Sequence, residues 1–226
     1  MSEAKTAELV KSRAKSPAKL RGWASDTFPS IIAFVAIDLA LTLIFFGFSS
    51  ASAHVGTLRP EATIAPKVLE LAAVGAGVGL IASLASRAFD FSFVTFGAAF
   101  MVLLDLDHLP SVFGIDQPIR PAHSLAFLAI TVVVLYFIAG RSRPEVPVIA
   151  TATFMAHIAS DTGVFAFYAP ISFSYISLNE FRVPLAIGAV CFAIIAGYLK
   201  STRRLRRQLS PALTDSVGVK GVIKKK

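Results

Sequence analysis

The stretch FSFVTFGAAFMVLLDLDHLP, residues 91–110, joins a long apolar run to a cluster of ionisable side chains. The run Phe91–Leu106 suits a membrane interior, and it ends in a motif that contains Asp105, Asp107 and His108. Ionisable residues within membrane segments cost free energy, so each of them is a candidate functional residue. The stretch therefore predicts a membrane helix with a polar site at one end.

The composition supports a membrane protein. The chain has 226 residues, of which 55% are hydrophobic and 16% are charged, whereas soluble domains carry about 25% charged residues. The lone cysteine, Cys191, excludes an intrachain disulfide and a cysteine-based zinc cluster. Any metal must therefore be held by histidines and carboxylates.

Six apolar runs approach the roughly 20 residues that a helix needs to cross a bilayer. The predicted fold class is all-α, a polytopic integral membrane helical bundle of about six transmembrane helices. Five or seven spans stay open, and the first run also resembles a cleavable signal peptide. The runs are Ile31–Phe48, Pro66–Ser86, Phe91–Leu106, His123–Ala139, Val146–Ala169 and Val183–Leu199.

The distribution of positive charge predicts the topology. When the sides alternate, most Lys and Arg residues fall on the side of the N-terminus, and Arg59, Lys67, Arg120 and Arg182 fall on the other. The positive-inside rule then places both termini in the cytoplasm of a multi-pass protein of the cell membrane.

The same reasoning divides the chain into three parts. Residues 1–28 form a basic cytoplasmic segment, residues 29–199 the six-span membrane domain, and residues 200–226 a basic tail that we expect to be disordered. Partners are the lipid bilayer and anionic lipid headgroups at the basic tails. Nucleic acid is not expected, because the tails lack interleaved aromatic residues and any recognisable module.

Six ionisable residues fall at a similar depth near the outer face in this topology. His157 and Asp161 are four residues apart, so a helix would present them on one face. Mixed imidazole and carboxylate ligands predict a divalent metal ion, with zinc first and manganese or iron as alternatives. The plainer alternative is that these side chains cap helices or form interhelical hydrogen bonds. The candidate metal ligands are Asp105, Asp107, His108, His123, His157 and Asp161.

Three motifs in residues 100–172 resemble the membrane-bound metal-dependent hydrolase family of the YdjM type. They are the stretch Leu104–Pro110, the sequence AHSL at residues 122–125, and HIASD at residues 157–161, which Gly-Val and Tyr-Ala-Pro follow. A histidine that the family carries just before its second motif has no counterpart in residues 117–122. The resemblance implies a metal-dependent hydrolase.

From the motif and its location we expect chemistry at the outer face, on a phosphoester or lipid-linked substrate. Asp107 is the candidate catalytic residue, either as a further metal ligand or as a general base for water.

Two other function classes stay open. A proton- or ion-coupled transport protein would need a polar path that links Asp38, Glu70 and Asp161, although no inverted repeat is visible. A non-catalytic membrane scaffold would keep a degenerate metal site.

Two local features carry further predictions. Gly75 and Gly79 predict a close helix-packing face. Ser124 is predicted to support His123 rather than to act as a nucleophile.

Overall fold

The structure is a computed structural model that describes residues 31, 32, 35, 36, 40, 64–108, 120–140, 142–161, 164–169, 171, 172 and 174–222. The described chain is mainly helical. The few described residues of the first predicted span are helical, and the rest of that span lies outside this range. The α-helices are α1 (Ile64–Ala85), α2 (Phe91–Leu103), α3 (Leu125–Leu135), α4 (Glu145–Ser160) and α5 (Arg182–Val222).

Short elements complete the described architecture. Tight 3-10 turns cover Leu104–His108, Pro121–His123 and Asn179–Phe181, and a π-helical turn, Tyr136–Gly140, ends α3. Strand β1 (Val164–Phe165) pairs antiparallel with β2 (Ile176–Ser177), with Val164 opposite Ser177. These elements place the polar turns at the ends of the helices.

Glycines allow α1 and α2 to pack closely in antiparallel orientation. A Cβ atom on Gly75 would overlap the carbonyl of Gly97, and one on Gly79 would overlap the carbonyl of Phe93. The predicted small-residue packing face is therefore confirmed. The close contact fixes the end of α2, and with it the turn that carries Asp105.

Helix α5 packs against both α4 and α1. Gly188 on α5 faces Met155, and Gly197 faces Ala82. The core between the helices is apolar and rich in phenylalanine, whereas large apolar side chains on the outer faces of α1 and α5 are exposed. Buried core residues include Phe93, Phe100, Met101, Phe127, Ile149 and Ile158.

Two described helices are long and apolar enough to cross a membrane, within Lys67–Ala85 and Asn179–Leu209. Two further apolar helices, Phe91–Leu106 and Leu125–Ala139, are shorter than this criterion requires. At 1.5 Å per residue, a helix of about 15 residues covers roughly 22 Å, less than the hydrocarbon core of about 30 Å. The helical class is confirmed, but the count of six spans is not.

Two predicted boundaries differ from the structure. The span Val146–Ala169 was expected to be one helix, but α4 ends at Ser160 because Asp161 adopts an extended backbone, and the hairpin follows. Helix α5 continues past Leu199 to Val222, where we expected a domain boundary and a disordered tail. Arginine, leucine and glutamine favour helix over residues 203–209, and basic side chains of this segment pair with acids at the starts of other helices.

Those contacts form a charged cluster, here called the ion-pair end. Arg203 pairs with the buried Glu145 at the start of α4, and Lys200 pairs with Asp90, which caps the start of α2. Arg204 also contacts Asp90, with 2.9 Å between Nη2 and Oδ2. Because α2 and α4 end at the predicted metal site, the ion-pair end lies at the opposite end of the bundle.

Candidate metal centre

Four of the six predicted ligands meet at one end of the bundle: Asp105, His123, His157 and Asp161. These four residues are called the metal centre below. Asp105 lies in the 3-10 turn that follows α2, and His123 lies in the 3-10 turn before α3. His157 occupies the last turn of α4, and Asp161 is the first residue after that helix. Three separate helices therefore deliver the side chains.

Local hydrogen bonds hold the two central segments. The backbone N–H of His123 donates to the carbonyl of Arg120 at 3.2 Å. Ser124 caps α3, since its buried hydroxyl accepts from the backbone N–H of Phe127 at 3.2 Å. The N–H of Asp161 donates to the carbonyl of His157 at 3.1 Å. Asp161 therefore stays beside His157, although it lies just beyond the helix.

The polar atoms of these side chains converge. The Nε2 atoms of His123 and His157 are 3.1 Å apart, and His123 Nε2 is 2.9 Å from Asp161 Oδ2. His157 Nε2 is 3.4 Å from Asp105 Oδ1. One ligand atom from each of Asp105, His123 and His157 lies within 4.8 Å of the other two. This geometry is that of a site that could hold a metal ion.

Proton placement explains why a cation suits this arrangement. His123 Nε2 has two hydrogen-bonding neighbours, Asp161 Oδ2 and His157 Nε2, but in a neutral imidazole this nitrogen either donates one hydrogen bond or accepts one. If His123 donates to Asp161 it cannot accept from His157, and if it accepts from His157 it cannot donate to Asp161, so one of the two close contacts has no proton between its atoms. A cation between the side chains would contact all of these atoms favourably.

The spacing and the donor set both fit a transition metal. Ligands about 2.1 Å from a tetrahedral zinc ion lie about 3.4 Å from one another, close to the distances between these atoms. Two imidazoles with carboxylates suit zinc, manganese or iron. One feature departs from typical sites: His157 Nδ1 is buried and has no hydrogen-bond partner among the described residues, whereas a metal-bound histidine usually donates from its second nitrogen.

Exposure increases from the histidines outward. The side chains of His123 and His157 are 0% and 1% exposed, and those of Asp105 and Asp161 are 14% exposed. Lys67, in the first turn of α1, is 46% exposed, and its Nζ lies 3.8 Å from Asp105 Oδ2 and 3.9 Å from Asp161 Oδ1. The histidines are therefore the most deeply buried residues of the site, and the carboxylates lie nearer the surface. Lys67 is the most exposed, and its position is called the rim below.

Nothing in the described contacts tests two of the predicted ligands, Asp107 and His108. The backbone of Asp107 and His108 belongs to the 3-10 turn Leu104–His108, but their side chains lie outside the described residues. The roles assigned to these two residues stay predictions. Asp38, named for the transport alternative, also lies outside the described part of the chain.

Sequence reasoning missed Lys67 as a member of this site. The topology had placed Lys67 on the outer side, with the candidate ligands, and this was the signal that could have identified it. Ser124 has a clearer role than predicted, because its hydroxyl is the N-cap of α3. This cap holds the backbone of Ser124, the residue directly after His123, at the start of α3.

Comparisons with protein-family models, with curated proteins and with solved structures found no match. The resemblance of the three motifs to the hydrolase family therefore stays a prediction from the sequence.

Proposed function

We propose that this protein is a membrane-embedded metal-dependent hydrolase whose metal centre lies near the outer face. The observation that carries the proposal is the convergence of Asp105, His123 and His157 from three helices. Buried histidines beside carboxylates are costly to hold without a ligand, which favours a functional role. The motif resemblance to the YdjM-type family points to hydrolysis as the reaction.

The residues divide into two groups by role. His123, His157, Asp105 and Asp161 would hold the ion, and His108 is a further candidate ligand. A bound zinc, manganese or iron ion supplies Lewis acidity, which polarises a substrate oxygen and acidifies water near neutral pH. Asp107 is the candidate general base, or a further ligand, because it lies in the same turn as Asp105.

A membrane location is supported by the surface of the helices. Leu69, Leu84, Val183 and Ile187 are large apolar residues on α1 and α5 that are 59% to 73% exposed. Such surfaces are unfavourable in water and favourable in lipid. We propose a multi-pass protein of the cell membrane with cytoplasmic termini, whose basic tails contact anionic headgroups and whose substrate is a phosphoester or lipid-linked compound.

A transport function is the second candidate, because His157, His123 and Asp161 form a chain of close polar contacts that could pass a proton. The described core between the metal centre and the ion-pair end is mainly apolar, with residues such as Phe100, Ile149 and Phe154. Glu70 is exposed rather than inside this core. These features favour the hydrolase.

The test is the metal content of protein purified in detergent without chelators, measured by plasma mass spectrometry. Wild type should carry about one divalent ion per chain. His157→Ala should lose it, because the variant removes a buried ligand. Asp107→Ala separates the two roles of that residue: loss of metal indicates a ligand, and retained metal fits a base.

The matched control is Glu70→Gln, an exposed change on α1 that should keep the metal. Wild-type protein without stoichiometric metal would overturn the proposed function.

A further inference from the structure

Lys67 sits at the rim of the metal centre, and its ammonium makes only long contacts within the described part of the chain. Its ammonium is 3.8 Å and 3.9 Å from one oxygen each of Asp105 and Asp161, and both distances exceed normal hydrogen-bond lengths. The contacts are therefore electrostatic, and the ammonium protons stay available to a ligand. Its 46% exposure makes it reachable from outside.

The two carboxylates link Lys67 to the histidines. Asp105 turns Oδ1 toward His157 and Oδ2 toward Lys67. Asp161 turns Oδ2 toward His123 and Oδ1 toward Lys67. One oxygen of each carboxylate thus faces a histidine that would hold the ion, and the other oxygen faces the lysine.

The net charge around Lys67 determines which class of ligand is favoured at the rim. Asp105 and Asp161 would balance a divalent ion when both histidines are neutral, so among the described side chains of the metal centre no carboxylate is then left to balance Lys67. A group that enters from outside passes the ammonium before it reaches the ligand atoms, which are more deeply buried. An anion is favoured at this position, and lysine is a common point-charge partner for phosphate.

We infer that Lys67 and the metal centre together bind a phosphate group, with Lys67 as the residue that selects an anionic ligand. This inference rests on the proposed function, because it requires the ion. The phosphate can belong to a soluble compound or to a lipid headgroup. In both cases Lys67 contacts the phosphate oxygens and leaves the ion to the histidines and carboxylates.

The experiment measures inorganic phosphate binding by calorimetry to zinc-loaded protein in phosphatidylcholine nanodiscs, after free zinc is removed. Zinc content is measured first for each variant. Lys67→Gln should keep its zinc and bind phosphate about 10-fold more weakly or worse, because a charge-assisted contact is lost. Lys67→Arg should keep most of the phosphate affinity. Arg206→Gln, an exposed loss of the same charge elsewhere on the chain, should match wild type.

A second arm identifies the source of the phosphate. Phosphatidic acid added to the nanodiscs should weaken inorganic phosphate binding in wild type if the ligand is a lipid headgroup, and should leave it unchanged if the ligand is soluble. Equal phosphate affinity of zinc-loaded wild type and Lys67→Gln would overturn the inference while leaving the metal centre intact. Wild type without zinc would instead overturn the proposed function, and the inference with it.

Discussion

The two ends of the bundle both collect ionisable side chains from distant parts of the chain, but they balance charge differently. At the ion-pair end, both carboxylates have directly contacting cations: Arg203 for Glu145, and Lys200 with Arg204 for Asp90. At the metal centre, the described neighbours of the two carboxylates include two buried imidazoles and Lys67, whose Nζ lies near 4 Å. One cluster is held by close ion pairs, and the other is a group of ligand atoms that could hold a metal ion.

We expect this difference to separate structural from functional polar residues in an apolar chain. A paired cluster ties helices together, and here it joins α5 to α2 and α4. A cluster that brings ligand atoms together without an ion lowers the stability of the fold, and proteins keep such clusters where they serve a function. The presence of ionisable residues alone does not distinguish the two cases.

The largest effect is expected at the ion-pair end. Arg203→Met leaves Glu145 buried without its cation and should lower the free energy of unfolding by about 3–5 kcal/mol. Thermal unfolding in detergent measures the change. The double variant Glu145→Gln/Arg203→Met should be less destabilised than Arg203→Met alone. If Arg203→Met is as mild as Arg206→Met on the exposed face of α5, the pair does not stabilise the bundle.

The opposite pattern is expected at the metal centre. Asp105→Asn should reduce zinc affinity by about 10- to 100-fold or more, since even outer partners of metal ligands contribute that much. The stability of the metal-free protein should change by less than about 1 kcal/mol, because the amide keeps the shape and removes one of two carboxylates that share Lys67. Competition with a zinc chelator and thermal unfolding give the two values. A large loss of metal-free stability would make Asp105 a structural residue.

Acid should weaken the ion-pair end through Asp90. Burial raises the pKa of this carboxyl, but hydrogen bonds from Lys200 and Ser92 and the charge of Lys200 outweigh burial, so the pKa lies below its ordinary value of 3.8. The stabilisation is then fully present above about pH 4 and is lost as the pH falls through the folded-state pKa.

Asp90→Asn tests this pH dependence, because it keeps the helix cap and removes the charge. The variant should be less stable than wild type by about 1 kcal/mol at neutral pH. This difference should shrink below pH 4. A difference that is constant down to pH 2 would contradict the assigned role.

The smallest effect concerns the cap beside the metal centre. Ser124→Ala should cost about 1 kcal/mol of stability, and Ser124→Gly only a few tenths, because glycine is tolerated at an N-cap. Both variants should retain the metal. Loss of zinc in Ser124→Gly would show that the hydroxyl acts on the site rather than on the helix.

Sequence patterns predicted several parts of this account. Apolar runs located α1, α2 and α3 to within a few residues, because apolar residues continue through each helix. The topology also predicted that His123, His157 and Asp161 lie at one end, since alternating spans bring alternate helix ends together.

Other features depended on tertiary structure. The pairs of Arg203 with Glu145 and of Lys200 with Asp90 join residues 58 and 110 positions apart, and no local pattern encodes them. The apolar sequence also continues past Ser160, although the helix ends there and the backbone becomes extended at Asp161. Composition reports how apolar a segment is, but not whether it remains helical.

The central claim is that His123 and His157 bind one ion together with carboxylate oxygens. X-ray absorption at the zinc edge of the zinc-loaded protein tests it most directly, with His123→Ala as the matched variant. Wild type should show scattering from about two imidazoles together with oxygen ligands near 2.0–2.2 Å. His123→Ala should show one imidazole or no bound zinc. A wild-type spectrum without imidazole scattering would contradict the account.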